Sequence, residues 1–280
     1  MDLDSLRPVL AAALDEDIGA GDLTTRLMVP DWARATGAIV VKVAGVAAGV
    51  DVALELFRMA ARDDIAVTRV VEEGARVLPG ETLLEIEGPA PVLLRVERTA
   101  LNFCMRMCGV ATLTAQFVER VSGTGARILD TRKTAPGLRR FDKAAVVAGG
   151  GENHRQGLYD AVLVKENHLA FGVALAEALA ARPAGVPAIC EAENLDEFQA
   201  AMDAGADVVL LDEFEPENVT AALKLRGDHD LPEIEVSGGI TLDNVREYAE
   251  AGAERISIGA LTHSAKSLDL SMSITPAPTR

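Results

Sequence analysis

The hydrophobic and polar positions along the chain fall into two rhythms. Residues 5–15 (SLRPVLAAALD) predict an opening helix, with Ser5 as its N-cap and Pro8 within its first turn. The loop DIGAGDLTT follows. From Ala35 to about Leu94 the runs ATGAIVVKVAGVAAG and AVTRVV…GETLLEIEG predict strands, with the helical stretch DVALELFRMAA between them. That is an α+β unit. VERTALNFCMRMCGVATLTAQFVERV then predicts a long helical region, as two helices meeting near Gly109.

After Gly125 the rhythm becomes regular. Short apolar runs recur, each ending in polar residues and most followed by a helical pattern: ARILDTRK, DAVLVKEN, PAICEAEN, DVVLLDEF, EIEVSGGI and RISIGAL. Two of the units share a weak repeat, DAGADVVLLDEF and EAGAERISIGA. Strand–helix units in series imply right-handed crossovers and a parallel sheet, and about six of them favour a closed or nearly closed barrel. An open doubly wound sheet is the alternative, but no Gly-x-Gly-x-x-Gly follows the first strand.

Composition narrows the function classes. Acidic residues outnumber basic ones by 43 to 27, for a formal net charge of −16. Such a surface repels nucleic acid and anionic membrane, which argues against both as partners. Only 4% of residues are aromatic, so the core is built mainly from Ala, Val, Leu and Ile, which suits helices on buried parallel strands. Cys104, Cys108 and Cys190 lack Cys-x-x-Cys spacing and predict buried, reduced thiols rather than a metal site. The start MDLDSLRPVL does not resemble a signal peptide, and no apolar run approaches a membrane span. The expected location is the cytoplasm.

Candidate chemistry lies at the strand ends, because α/β barrels carry their reactive groups at the C-terminal rim. Those ends supply Asp130, Arg132 and Lys133; Lys165 and Glu166; Glu191 and Glu193; Asp212 and Glu213; Ser237-Gly238-Gly239; and Gly259. Any single charge there is as well explained as a solvated loop residue; the series as a whole is not. Arg132, Lys133, His154, Arg155 and Lys165 crowd the first two units, and bound anions would offset their repulsion. Glu191 and Asp212 fall on adjacent strands. They suit Mg²⁺, sugar hydroxyls or a cationic transition state, or else simply pair with the neighbouring lysines. Ser237-Gly238-Gly239, predicted to open a helix at Thr241, and Gly259-Ala260 suit a phosphate. Gly149-Gly150-Gly151 lacks the following Gly-Lys-Ser/Thr of a P-loop, and predicts close backbone approach before His154 instead. A ligand with carboxylates, a diol and a phosphate fits this rim.

The runs ERTALNF (97–103), DTRKTAPGLR (130–139), GGGENHRQGLYD (149–160), LVKENH (163–168), EAEN (191–194) and LDEF (211–214) resemble the quinolinate phosphoribosyltransferase family. EDIGAGDLTT and SLDLSM extend the likeness over nearly the whole chain. The resemblance implies an α/β protein: an N-terminal sandwich domain over residues 1–108, to which 266–280 returns, and an α/β barrel short of eight strands over 109–265. It implies transfer of phosphoribosyl from phosphoribosyl pyrophosphate to quinolinate with decarboxylation, giving nicotinate mononucleotide, with Mg²⁺ required. Carried over by motif, Arg132, His154, Arg155 and Lys165 would hold the two carboxylates of quinolinate. Arg98 would reach the same pocket from the neighbouring subunit of a homodimer or higher homo-oligomer. Lys133, Glu191 and Asp212 would face the ribose and pyrophosphate, the acids partly through Mg²⁺. Ser237, Gly238, Gly259 and His263 would surround the 5′-phosphate. Ile189-Cys190 and Glu213 depart from the family's pattern, Glu213 standing where relatives often carry Asn.

Other readings compete. A related pyrophosphorylase associated with molybdate transport shares the DTRKT region but lacks the lysine that Lys165 matches. A Schiff-base aldolase would use Lys165 as its nucleophile. A non-catalytic barrel would bind phosphoribosyl pyrophosphate without turnover. His229 is expected to be a solvated loop residue. His168 either supports the pocket or caps the next element.

Overall fold

The computed structural model describes residues 2–62 and 64–278 of the chain. Residues 1 and 63 of the expected N-terminal domain and residues 279–280 of the expected returning segment lie outside the described residues. In chain order, a 3-10 turn (Asp4–Leu6) leads to α1 (Arg7–Ile18), α2 (Leu23–Met28), β1 (Arg34–Val41), β2 (Gly45–Val46), α3 (Val50–Ala61), β3 (Ala66–Val70), β4 (Arg76–Val77), β5 (Thr82–Pro89) and α4 (Ala90–Arg120). Then come β6 (Arg127–Leu129), α5 (Arg139–Ala148), β7 (Val162–Val164), α6 (Glu166–Leu169), α7 (Leu175–Ala180), β8 (Ala188–Ala192) and α8 (Leu195–Asp203). The remainder is β9 (Val208–Asp212), α9 (Pro216–Arg226), β10 (Glu233–Ser237), α10 (Val245–Glu250), β11 (Arg255–Ser257), α11 (Ala260–His263) and β12 (Leu270–Pro276). The chain divides into two compact units, Met1–Leu113 with Pro136–Gly150 and Ala265–Arg280, and Thr114–Ala135 with Gly151–Ser264.

The first unit is built on a four-stranded antiparallel sheet ordered β12-β1-β5-β3. β1 alternates as its sequence predicts, burying Ala35, Ile39 and Val41. The last strand, β12, runs along all of it from Ala35 opposite Pro276 to Val41 opposite Leu270. α3 covers β5 with a fully buried Leu56 and Phe57. Cys104 and Cys108 are buried one turn apart on α4, their sulfurs 4.0 Å from each other and both directed at the Ala48 carbonyl. They are core thiols.

Three local expectations are corrected here. Leu6, not Ser5, occupies the N-cap of α1, because the Ser5 hydroxyl donates to the Asp2 carbonyl within the preceding turn. Part of the predicted loop DIGAGDLTT is helical: the Asp22 side chain accepts the Thr25 backbone N–H at 2.9 Å and starts α2. The predicted break at Gly109 is absent, and α4 runs unbroken for 31 residues. Gly109 serves close approach instead. A β-carbon there would strike the Lys266 carbonyl and lie 2.9 Å from the Ser267 Cα.

The second unit is a six-stranded parallel sheet ordered β6-β11-β10-β9-β8-β7. All six predicted strands are present, each within its predicted run. The first strand pairs with the last, so the sheet curls round on itself. It stays open between β6 and β7, where only a parallel bridge from Leu129 to Glu152 is formed among the described residues. Ala161, Ile189, Val208 and Leu210 form an apolar cluster against which Leu163 packs.

The weak repeat has a structural cause. At both Gly205 (φ +80°) and Gly252 (φ +100°) a helix ends in the left-handed region. The next residue closes a six-to-one bond, Ala206 to the Ala201 carbonyl and Ala253 to the Tyr248 carbonyl, each at 3.1 Å. The following acid then locks the adjacent strand: Asp207 accepts the Ala188 N–H and Glu254 the Ile234 N–H, both at 2.7 Å. Ala-Gly-Ala-acid therefore encodes a helix stop followed by a strand start.

Gly109 allows a test in which two effects differ in sign. Helix propensity alone makes Gly109→Ala stabilising by up to about 1 kcal/mol. The collision with the Lys266 backbone makes it destabilising by about 1–3 kcal/mol. We expect the second, as a lower urea midpoint at unchanged slope; a raised midpoint would show that the segment after Ser264 yields freely.

Candidate functional site

Strand alternation decides which side chains enter the barrel. On β9, Val208, Leu210 and Asp212 share one face; on β8 Ile189 and Glu191 do; on β10 Glu233, Glu235 and Ser237 do. The apolar cluster thus forms a floor, and the last inward residue of each strand stands above it. The result is a cavity of about 310 Å³ lined by Thr131, Arg132, Lys133, His154, Arg155, Leu163, Lys165, Glu191, Leu210, Asp212, Ser237 and Ser257.

The cationic residues converge as expected. Arg132 lines the cavity, and its buried Nε has no hydrogen-bond partner among the described residues. Arg155 donates through Nη1 to the Ala161 carbonyl at 3.2 Å. Burial first, and then the charge of Arg132, pull the Arg155 guanidinium below its usual range. This is the like-charge crowding that a dianionic ligand would relieve. The loop carrying Arg155 is held by Asp160, which accepts the Gln156 and Gly157 N–H groups at 2.6 and 3.0 Å. Asp130, fully buried, accepts the His154 N–H at 2.9 Å and ties that loop to the end of β6.

The acids line the same cavity. Lys165 forms an ion pair with Glu191, one of the pairings left open by the sequence. Burial, then the Glu191 carboxylate, push the Asp212 carboxyl above its usual range, and Lys165 and Lys133 only partly offset them. Among the described residues no three His, Cys, Asp or Glu side chains converge to hold a metal by themselves.

The glycine-bearing ends flank the cavity. Ser237 lines it, with Gly238 next in the chain. A side chain on Gly259 would meet Lys133 Cδ at 2.9 Å and His263 Nε2 at 3.1 Å, so those three residues are neighbours. Thr262 fixes the arrangement, its hydroxyl donating to the Lys133 carbonyl at 2.9 Å. The helix expected to open at Thr241 begins at Val245 instead, because Asn244 Oδ1 accepts the Thr241 N–H at 2.7 Å and holds a turn there. His168 caps α6, its Nδ1 accepting the Lys165 N–H at 3.0 Å, and His229 is an exposed loop residue. Arg98 is exposed on α4 in the first unit and is not among the cavity's lining residues.

Several contributors were missed in the sequence. Thr131, Leu163, Leu210 and Ser257 line the cavity; Leu163 and Leu210 sit two residues before Lys165 and Asp212, a signal that period-two counting would have caught. Glu235, inside the run EIEVSGGI, was not among the candidate residues. It is fully buried, with Oε2 accepting Arg255 Nε–H at 2.7 Å and Oε1 facing His154 Nε2 at 3.3 Å. Burial raises its carboxyl, but His154 and Arg255 together outweigh that and hold it below the usual range.

These features define an α/β-barrel protein with a cation-lined pocket at the carboxyl ends of its strands. Residues 22–108 match the family model for the quinolinate phosphoribosyl transferase N-terminal domain, and residues 110–273 match that for the C-terminal domain. The nicotinate-nucleotide pyrophosphorylase (carboxylating) of Mycobacterium leprae is 41% identical over 283 residues, covering 98% of each chain. A probable nicotinate-nucleotide pyrophosphorylase (carboxylating) of Bacillus subtilis is 39% identical over 264 residues, covering 93% of this chain and 90% of its own. Among solved structures, NadC from Streptococcus pyogenes superposes with a TM-score of 0.93 at 35% identity, covering 99% of both chains. The chain belongs to the quinolinate phosphoribosyltransferase family.

Glu213 is the departure with a visible backbone consequence. It sits at φ +55°, in the left-handed region, with its N–H donating to the Ser237 carbonyl at 3.0 Å. Asn tolerates that region far better than Glu does. Glu213→Asn is therefore expected to stabilise the protein by about 1 kcal/mol. A denaturant midpoint that does not rise would show that the Glu213 side chain makes compensating contacts.

Proposed function

We propose that the chain is a quinolinate phosphoribosyltransferase, transferring phosphoribosyl from phosphoribosyl pyrophosphate to quinolinate and releasing pyrophosphate and carbon dioxide. The observation that carries this reading is one cavity that gathers both signs of charge: Arg132, Arg155 and Lys165 line it together with Glu191, Asp212 and Ser237, and Lys165 meets Glu191 where the two sets join. Quinolinate, a dicarboxylate, suits the cations, with Arg forks binding its carboxylates in bidentate fashion. The ribose and its phosphates suit the acids and Ser237, together with Lys133, Gly238, Gly259 and His263. The names of the aligned relatives describe the same interconversion read from the nucleotide side.

Glu191 and Asp212 take the role of stabilising positive charge that builds on the ribose as the pyrophosphate bond breaks. Lys133 takes that of neutralising the departing pyrophosphate. Two carboxylates without a complete cage fit Mg²⁺, which keeps most of its shell for water and substrate phosphates. The ion would supply charge neutralisation on the pyrophosphate. Decarboxylation then needs chiefly an oriented ring, because the first step leaves the ring nitrogen positive. The fold has no helix long and apolar enough to cross a membrane among the described residues, and the acidic surface suits a cytoplasmic enzyme without nucleic-acid partners.

The direct test is incubation with Mg²⁺, phosphoribosyl pyrophosphate and either quinolinate or nicotinate. Nicotinate mononucleotide should form from quinolinate and not from nicotinate. No product from quinolinate would sink this reading and favour the molybdate-associated relative.

Arg98 belongs to the pocket of a second subunit in this reading, in a homodimer. Neither Arg98→Ala nor Lys165→Ala alone should turn over quinolinate at an appreciable rate. Mixed after joint refolding, the two should regain activity approaching a quarter of wild type, since half of the chains in a random mixture enter hybrid dimers with one intact site in two. Absence of any recovery would place Arg98 outside the partner's site.

A further inference from the structure

A fully buried charge near the pocket belongs to a residue so far without a role, Glu235. Glu235 is fully buried on the inward face of β10, two residues before Ser237. One oxygen is held by Arg255 Nε at 2.7 Å, and Arg255 in turn approaches Glu233 at 3.4 Å. The other oxygen, Oε1, makes no hydrogen bond of good geometry among the described residues and faces the imidazole Nε2 of His154 at 3.3 Å. On the far side of the ring, His154 Nδ1 lies 2.7 Å from the backbone nitrogen of Arg155.

That last contact settles the ring's proton. A backbone N–H only donates, so Nδ1 accepts and carries no hydrogen. The neutral ring then bears its proton on Nε2, which lies 3.3 Å from a carboxylate already anchored by an arginine. A buried carboxylate in that place favours that tautomer and that ring orientation. The ring in turn holds the start of the Arg155 backbone.

We propose that Glu235 is a positioning residue for the dicarboxylate end of the pocket, acting through His154 to place Arg155. The proposal rests on the reading that Arg155 binds a substrate carboxylate. Arg255 fixes Glu235, Glu235 fixes the imidazole, and the imidazole fixes the loop. Without the carboxylate, the ring is free to exchange tautomers and the Arg155 N–H loses its acceptor for part of the time.

The test combines spectroscopy with kinetics on the full-length protein. The chain has four histidines, so long-range proton–nitrogen spectra of the imidazoles can be assigned by comparison with a His154→Gln variant. In the wild type, His154 should be neutral with a protonated Nε2 and a bare Nδ1. Glu235→Leu should convert that signal to a tautomer mixture and raise KM for quinolinate about tenfold, with KM for phosphoribosyl pyrophosphate little changed. Glu235→Gln retains an acceptor oxygen, so it should keep the tautomer and most of the quinolinate affinity. In a His154→Gln background, Glu235→Leu should add nothing further, as expected of residues acting in series.

A wild-type His154 protonated on Nδ1 would overturn the proposal without any variant, even if Glu235→Leu fails to fold. So would a Glu235→Gln enzyme that keeps the tautomer yet loses quinolinate affinity as severely as His154→Gln, or a Glu235→Leu enzyme whose two KM values rise together. Each of these leaves quinolinate turnover by the wild type intact. Loss of the underlying reading would be recognised separately, by a wild type that does not turn over quinolinate at all.

Discussion

The second unit depends on the pairing of its first strand with its last. Arg255, Ile256 and Ser257 on β11 lie in parallel register with Arg127, Ile128 and Leu129 on β6. This brings the chain's early cationic loop beside its late glycine-bearing ends, although more than a hundred residues separate Lys133 from Gly259. The same closure leaves an opening between β6 and β7. The segment 151–160 enters there, joined by the Leu129–Glu152 bridge and by Asp130 under His154. His154 and Arg155 are therefore delivered to the cavity by a segment occupying the place where a further strand pairing would otherwise close the barrel.

Charge is distributed in this unit by strand number. The early strands and the inserted segment bring cations, and the middle strands bring acids. Lys165, just after β7, and Glu191 on the neighbouring β8 pair and mark the boundary between them. Below the cavity, the inward faces of β6, β10 and β11 carry Arg127, Glu233, Arg255 and Glu235 in ion pairs, whereas β7, β8 and β9 carry an aliphatic floor. Buried ion pairs add little net stability, because desolvation offsets most of the attraction, but they define geometry sharply. An ionic half beneath the cationic residues gives them fixed supports where an aliphatic core would allow side chains to adjust.

Much of this organisation is written in local pattern. The six strand runs were legible because a buried parallel strand needs a short apolar stretch, and a functional rim needs polar residues where the stretch ends. The cation cluster stood out against a net charge of −16. The recurring Ala-Gly-Ala-acid motif was visible as a repeat, though its meaning, a helix stop and a strand lock, needed the hydrogen bonds. Local signals failed where a distant segment decided the outcome. Gly109 looked like a helix break, yet it is an approach point for the backbone near Lys266. Ser5 looked like a cap, yet its hydroxyl found a nearer carbonyl.

The sequence by itself determined the class of fold, the succession of its strands and the chemical character of the pocket, since these follow from periodicity and residue type within short windows. Only the tertiary structure decided that the sheet opens between β6 and β7, that Lys165 meets Glu191, and that Glu235 stands behind His154. Glu235 and His154 lie eighty-one positions apart, and Glu235 sits in a strand whose pattern shows only that it faces inward. What it faces is set by how a twisted parallel sheet closes on itself, a global condition that no local stretch of sequence contains.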